Sequence, residues 1–263
     1  TLMEPINTLD ILRYKKGQWC REKDLIIKEV PVTLYVNGKK HITILASPRH
    51  LDELALGYLV AEGCLTSVQQ IGALEVGADK DWVRVDLKAG VPPPTQVSER
   101  GPFKGRTDGD LVCYRLLKAR GIEEVDTDLT ISPMSISLLA AELQRHSQLF
   151  RETGGVHGAA LADEEKGIFL FREDIGRHNA IDKIVGHTFL KGLSCRDKIF
   201  LTSGRVSFDT MVKTIKLGVP IIISPSAPTD MAVQMARNSQ MTLVGFARGK
   251  RFNVYSGEGR LGV

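Results

Sequence analysis

The sequence predicts an α/β fold, with a partly parallel sheet in its second half and a smaller α+β part ahead of it. Three observations lead there. From Lys198 onward, strand-like and helix-like apolar patterns alternate: Ile199–Thr202, a stripe of Phe208, Met211, Val212 and Ile215 closed by Gly218, the run 219–223, a stripe of Met231, Gln234, Met235 and Asn238, and the run 241–246. Such alternation with short connections calls for right-handed crossovers between parallel strands. Nearer the start, Val30–Val36 alternates, Asn37 and Gly38 supply a turn, and 42–45 resumes, the pattern of a hairpin with a loop a little longer than the tightest kind. Between Lys88 and Asp110 the period stops in a stretch rich in Gly and Pro, and long loops of that kind are functional or disordered.

Taken in order, the first dozen residues have no strong period and read as a mobile lead-in. After the hairpin, Ser47 and Pro48 have the character of an N-cap and a first helical residue. Leu51, Leu54, Ala55, Tyr58 and Leu59 then repeat at helical spacing until Gly63, with His50, Asp52, Glu53 and Glu62 falling mostly on the outer face. Short strands are expected at 72–77 and 82–87, and a second helix at 135–147 with Ile136, Leu139, Ala140 and Leu143 on one side. Strands at 158–162 and 168–171 are joined by a charged turn. Ala180, Ile181, Ile184, Val185 and Thr188 define a helix whose first turn carries Arg177, His178 and Asn179. The boundaries drawn from this are 1–98 for the N-terminal α+β part, 99–126 for a mobile cysteine-bearing loop with a short helix, and 127–263 for the α/β domain.

The 263 residues carry a formal net charge of only +4, and Lys and Arg are spread along the chain, which argues against nucleic acid and for a local anionic ligand. No apolar run reaches bilayer-spanning length and the start lacks a signal-peptide pattern, so a cytoplasmic protein without a membrane partner is expected. Cys20, Cys64, Cys113 and Cys195 lie far apart, with no zinc-ligand spacing, so no metal site is expected. Cys113 has two readings: a buried residue opening a short helix with Leu116, Leu117 and Ala119, or a reactive thiol at the mouth of a mobile loop.

A parallel sheet gathers its strand C-termini on one edge, where ligands bind. The residues placed there are Ser203, Gly204, Arg205 and Ser207 after the first strand, 224–229 with Ser226 and Thr229 after the second, and Arg248, Gly249, Lys250 and Arg251 after the third. Helix N-termini offer free N–H groups to an anion, and arginine adds bidentate donors. Ser207 and Thr229 also read as ordinary N-caps, and 248–251 as a solvated turn. The glycine-rich stretch 153–161, with Gly155 and His157, and the Arg177, His178, Asn179 triplet complete a candidate binding wall for a phosphate-bearing ligand, a nucleotide diphosphate by size.

Several stretches together resemble the formate dehydrogenase accessory sulfurtransferase family, the FdhD/NarQ proteins: Thr153-Gly-Gly-Val-His157, Glu173-Asp-Ile-Gly-Arg-His-Asn-Ala-Ile-Asp182, Ser203-Gly-Arg-Val-Ser-Phe208, Ser226-Ala-Pro-Thr229 and Gly245-Phe-Ala-Arg-Gly-Lys-Arg-Phe-Asn-Val-Tyr255. The likeness extends over nearly the whole chain from about Ile26 in the same order. It implies a cytidine-deaminase-like three-layer core and a cytoplasmic homodimer. It also implies a sulfur carrier that relays sulfur from a cysteine desulfurase, through a cysteine persulfide, to the molybdenum bis(guanine dinucleotide) cofactor of formate dehydrogenase. The family's cofactor-binding segment corresponds to Phe246, Ala247, Arg248, Gly249, Lys250 and Arg251, which lie on the edge argued above to hold phosphate.

Family members generally carry a Cys-x-x-Cys pair ahead of the second helix, whereas this chain has Cys113 alone, with Asp110 three residues before it and Leu116 three after. Two functions remain in play: a sulfurtransferase that carries its persulfide on Cys113, or a cofactor-binding chaperone that has lost sulfur transfer. Zinc deaminase chemistry, which the fold would also allow, needs thiolate ligands and a glutamate base. His157-Gly-Ala and Thr202-Ser-Gly-Arg205 stand where those groups would be expected, so the thiolates and the base are missing and that reading is rejected. Asp182 is open between ligand contact and a cap or salt bridge.

Overall fold

The computed structural model describes residues 4–91 and 127–262. Its centre is a six-stranded sheet in the order β12-β11-β10-β9-β7-β8. The strands are β7 (His157–Asp163), β8 (Gly167–Asp174), β9 (Ile199–Thr202), β10 (Ile221–Ile223), β11 (Thr242–Arg248) and β12 (Arg251–Ser256). β9, β10 and β11 run parallel, while β7, β8 and β12 are antiparallel to their neighbours. The apolar run 221–223 is buried on both faces, as a central parallel strand requires.

Alternate residues of each strand enter two different cores. Phe200, Ile222 and Leu243 pack with the helices Arg177–Lys191, Phe208–Leu217 and Asp230–Asn238, whereas Ile199, Leu201, Ile221 and Ile223 pack with the helix Pro133–His146 through Ile136, Leu139, Ala140 and Leu143. The result is three layers, helix on sheet on helix. In chain order the helices are α1 (Leu51–Ala61), α2 (Pro133–His146), α3 (Gln148–Thr153), α4 (Arg177–Lys191), α5 (Phe208–Leu217) and α6 (Asp230–Asn238).

The N-terminal part is a second sheet in the order β4-β3-β6-β5, from β3 (Val30–Val36), β4 (Lys39–Ala46), β5 (Ile71–Val76) and β6 (Trp82–Leu87). The β3–β4 turn is tighter than expected: Asn37 and Gly38 have φ of 49° and 73°, the two-residue hairpin geometry that both residue types tolerate. The expected cap at Ser47 and Pro48 is also corrected. α1 begins after His50, which adopts a left-handed conformation at the N-cap, and Ser47 is fully buried.

α1 lies between this sheet and α4 and is buried on nearly every side. Glu53, expected to face outward, is 6% exposed. It faces Arg172 and His187: Arg172 donates to both of its oxygens at 2.5 and 2.7 Å, and His187 Nδ1 lies 2.8 Å from Oε1. Burial pushes the Glu53 carboxyl up, but the hydrogen bonds from Arg172 and His187 outweigh it and hold the pKa below its ordinary 4.5. A depressed carboxylate contributes stability above its unfolded pKa and loses it as pH falls through the folded value. Urea titrations of the wild type should therefore lose stability below about pH 4.5, and Glu53→Gln should flatten that acid limb; an unchanged limb assigns the loss to other carboxylates.

From Ile6 on, the expected lead-in is corrected. Residues 6–15 form β1 (Ile6–Lys15), which pairs with β2 (Gln18–Ile27) as a separate two-stranded ribbon. Both faces of most of the ribbon are exposed, including Leu12, Tyr14 and Trp19, so no single buried face imposes an alternating pattern on the sequence. No helix among the described residues is long and apolar enough to cross a membrane.

Candidate functional site

Sheet topology brings the candidate residues to one edge. His157 opens β7 opposite Asp174, the last residue of β8, and β7 runs antiparallel to β9 with Ala159 opposite Thr202. The start of β7, the end of β8 and the ends of β9, β10 and β11 therefore share a rim, and α4 begins there at Arg177. The loops leaving these strands are joined to each other. Val206 pairs with Pro228, Thr229 N donates to Val206 O at 2.9 Å, and Ser224 Oγ donates to Gly204 O at 2.8 Å.

The β11 end is built by a break in pairing. The ladder with β12 shifts register between Gly245 and Arg248, and the freed N–H groups of Phe246 and Ala247 donate instead to Ser226 O and Ser224 O, at 3.1 and 3.0 Å. Phe246 has φ of 52°, an uncommon conformation for a bulky residue, and the residue is 42% exposed. Backbone strain of this kind persists where surrounding bonds over-determine it, and bulges re-aim side chains beside sites. Ala247 is buried, while Arg248, Gly249, Lys250 and Arg251 are exposed. Arg248 Nε donates to Pro225 O at 2.8 Å, which ties the arginine to the neighbouring loop and, among the described residues, leaves its terminal nitrogens for a ligand.

At the other end of the rim, Ser203 Oγ accepts from Gly158 N at 3.0 Å and lies 3.2 Å from His157 Nδ1. Burial, then the positive charge of Arg177, lowers the His157 pKa, so the imidazole is neutral near pH 7. Gly204 has no side chain because a Cβ there would stand 3.0 Å from the Arg177 Cβ. Arg177 Nε is buried and has no hydrogen-bond partner among the described residues. It sits in the first turn of α4, whose N-cap, Gly176, brings no side-chain acceptor to the helix N–H groups. His178 follows Arg177 on this turn.

Some candidates are turned to structural work. Asn179 Nδ2 points inward, donating to Leu45 O at 2.7 Å and Asp174 Oδ1 at 2.9 Å. Thr229 Oγ1 caps α6 by accepting from Ala232 N, and Ser207 Oγ lies 3.3 Å from Thr210 Oγ1 in the first turn of α5. Gly155 faces Ile27 at the base of the ribbon, where a Cβ would come within 2.6 Å of Ile27 Cγ2. Asp182 is resolved as a salt bridge, 2.6 Å from Lys213 Nζ. Arg205 is exposed at the rim. Cys113 and the 99–126 segment lie outside the described residues, as does most of the 88–110 loop. Among the described residues, no group of three or more His, Cys, Asp or Glu is placed to hold a metal ion.

The sequence that carries this rim matches a known family. The FdhD/NarQ family model covers residues 27–262. This chain belongs to the FdhD/NarQ family. It is 37% identical over 252 residues to the sulfur carrier protein FdhD of Bacillus subtilis, covering 94% of each chain. The protein of the same description from Bacillus pumilus is 38% identical over 256 residues, covering 95% of each. A crystal structure described as a formate dehydrogenase accessory protein, from Desulfotalea psychrophila, superposes with a TM-score of 0.79 at 22% identity, covering 98% of this chain and all of that one. That likeness extends the shared fold over the N-terminal ribbon, which precedes the family match.

From the sequence, Ser47 reads only as an N-cap and Glu53 only as an outward-facing helix residue, and neither Asp174 nor Lys183 stands out as part of a site. A signal was present for Lys183, which falls among Ala180, Ile181, Ile184 and Val185 on the buried side of α4. A lysine on a buried helix face calls for a buried carboxylate nearby.

Proposed function

We propose that this FdhD/NarQ protein is a sulfur carrier required for formate dehydrogenase activity, with the rim as its binding surface for the molybdenum bis(guanine dinucleotide) cofactor as cargo. The observation that carries the reading is the continuous strip of loops from His157 and Ser203 through Ser226 to Arg248, joined by backbone hydrogen bonds and supplied with cations at both ends. Among the described residues, Arg177 has a buried unpartnered Nε at an open helix start and Arg248 is anchored through Nε alone, so both are suited to phosphate groups. The exposed Phe246 ring is suited to stacking on a purine base.

In this reading Cys113 takes sulfur from a cysteine desulfurase. Its thiolate attacks the outer sulfur of the donor persulfide, and the donor cysteine leaves as a thiolate. The outer sulfur of the Cys113 persulfide then passes to the cofactor as its S–S bond breaks, Cys113 leaving as a thiolate and the cofactor's metal centre supplying the two electrons that bring the sulfur to the sulfide level. The protein acts in the cytoplasm as a homodimer, with formate dehydrogenase as its client. The chaperone alternative keeps the rim and drops the thiol; it is favoured by the single cysteine where the family has a pair.

GDP, the guanine nucleotide part of the cargo, tests the rim directly. Isothermal titration should show binding by the wild type and a loss of about tenfold or more for Arg248→Ala and for Arg177→Ala, the scale of a lost charge-assisted hydrogen bond. Unchanged affinity in both variants removes the rim from the mechanism.

A further inference from the structure

Beneath the rim, one buried ion pair ties the two halves of the molecule together. Asp174 and Lys183 are both 0% exposed, with Lys183 Nζ 2.6 Å from Asp174 Oδ2. The same carboxylate oxygen accepts from Ser47 N at 3.1 Å and Ser47 Oγ at 3.0 Å, on the segment leaving β4. The other, Oδ1, accepts from Gly176 N at 3.0 Å and from Asn179 Nδ2 at 2.9 Å, at the start of α4. Lys183 gives further bonds to Ser47 Oγ at 3.0 Å and Glu173 O at 3.2 Å, so each proton of the ammonium has an acceptor. Asn179 reaches on to Leu45 O, which closes the circuit back to β4.

This arrangement resolves a conflict at the helix start. Gly176 is a conformationally loose N-cap and contributes no side chain, so the first turn of α4 needs an outside acceptor to hold it. A carboxylate supplies one, but an uncompensated negative charge there would repel an anionic ligand. Lys183 cancels that charge from the buried side, leaving the acceptor function without the repulsion.

Building on the rim reading, we propose that Asp174 is a positioning residue, through which the N-terminal sheet orients the first turn of α4 and so sets the affinity of the rim for anions. Ser47 is the informative position. It is fully buried and bonds to Asp174 and Lys183, so its influence on a rim ligand has to pass through them. Asn179→Ala cuts the same link from the side of α4 and serves as a second variant if Ser47→Ala folds poorly.

Amide hydrogen exchange and GDP titration on the full chain separate the two layers of the claim. In Ser47→Ala and Asn179→Ala, the amides of Gly176, bonded to Asp174 Oδ1, and Ala180, bonded to Gly176 O, should exchange about tenfold faster than in the wild type, with those of Ile184 and Val185 unchanged. GDP should bind about tenfold more weakly while the circular dichroism spectrum stays the same. Unchanged exchange in both variants overturns the coupling whatever GDP does. Faster exchange with undiminished GDP affinity overturns the link to binding, since a purely structural network would lower Tm alone. A wild type that ignores GDP brings down the rim reading and the affinity claim together, while the exchange result still decides whether Asp174 positions α4.

Discussion

Gly186→Ala should destabilise the protein by more than about 3 kcal/mol, although alanine is the better helix former by about 1 kcal/mol. The reason is the crossing of α1 and α4, where two backbones touch through a pair of glycines. A Cβ on Gly186 would stand 1.9 Å from Glu53 O, and one on Gly57 would stand 1.8 Å from Asp182 O. Both obstacles are main-chain atoms of the opposing helix, so no rotamer change relieves them and the helices have to separate. Separation also disturbs Glu53 against Arg172 and Asp182 against Lys213, which flank the crossing. Urea and thermal unfolding of Gly186→Ala and Gly57→Ala give the measurement, with a Tm loss on the order of 10 °C expected for a chain of this size. A neutral or stabilising result would mean that propensity outweighs contact and that the helices are further apart than described.

The contrast between those glycines and the rest of the fold explains what was legible beforehand. Runs such as 221–223 and the stripe of Leu51, Leu54, Ala55, Tyr58 and Leu59 announce themselves, because one environment acts on many successive residues. The rim was legible for a related reason: parallel strands force their C-terminal loops together whatever the loops contain, so Ser203, Ser226 and Arg248 could be grouped before their contacts were known. β12 went unseen as a strand, since its exposed and half-buried residues give only a weak pattern. Single contacts between distant residues leave still less trace. Nothing near Glu53 in sequence marks it as the partner of Arg172, and nothing near Gly57 marks it as a crossing point. The ribbon was missed because its exposed faces impose no period, and the left-handed Phe246 because only the pull of Ser226 and Ser224 on its loop produces that backbone.

Cys113→Ala should reduce formate dehydrogenase activity to background in a strain lacking its own accessory protein, an all-or-none effect that no rim variant is expected to match. The argument is partly one of elimination among thiols. A persulfide carrier has to present a thiolate to its donor. Burial, with a smaller push from Asp197, raises the Cys195 pKa to about 11, and the residue is only 2% exposed, so it is protonated and out of reach near neutrality. Cys64 is half-buried, and burial together with Glu62 raises its pKa as well. Cys20 is exposed near the turn of the ribbon, at the opposite end from Ile27, which faces Gly155, so Cys20→Ala should retain full activation and serves as the control. Mass spectrometry gives the direct readout: after incubation with a cysteine desulfurase and cysteine, one reductant-labile sulfur should appear on the peptide containing Cys113 and on no other. Full activation by Cys113→Ala, with GDP still bound at the rim, would instead identify a chaperone that holds the cofactor while another protein supplies the sulfur. The single cysteine would then be the remnant of a pair whose transfer chemistry has been given up.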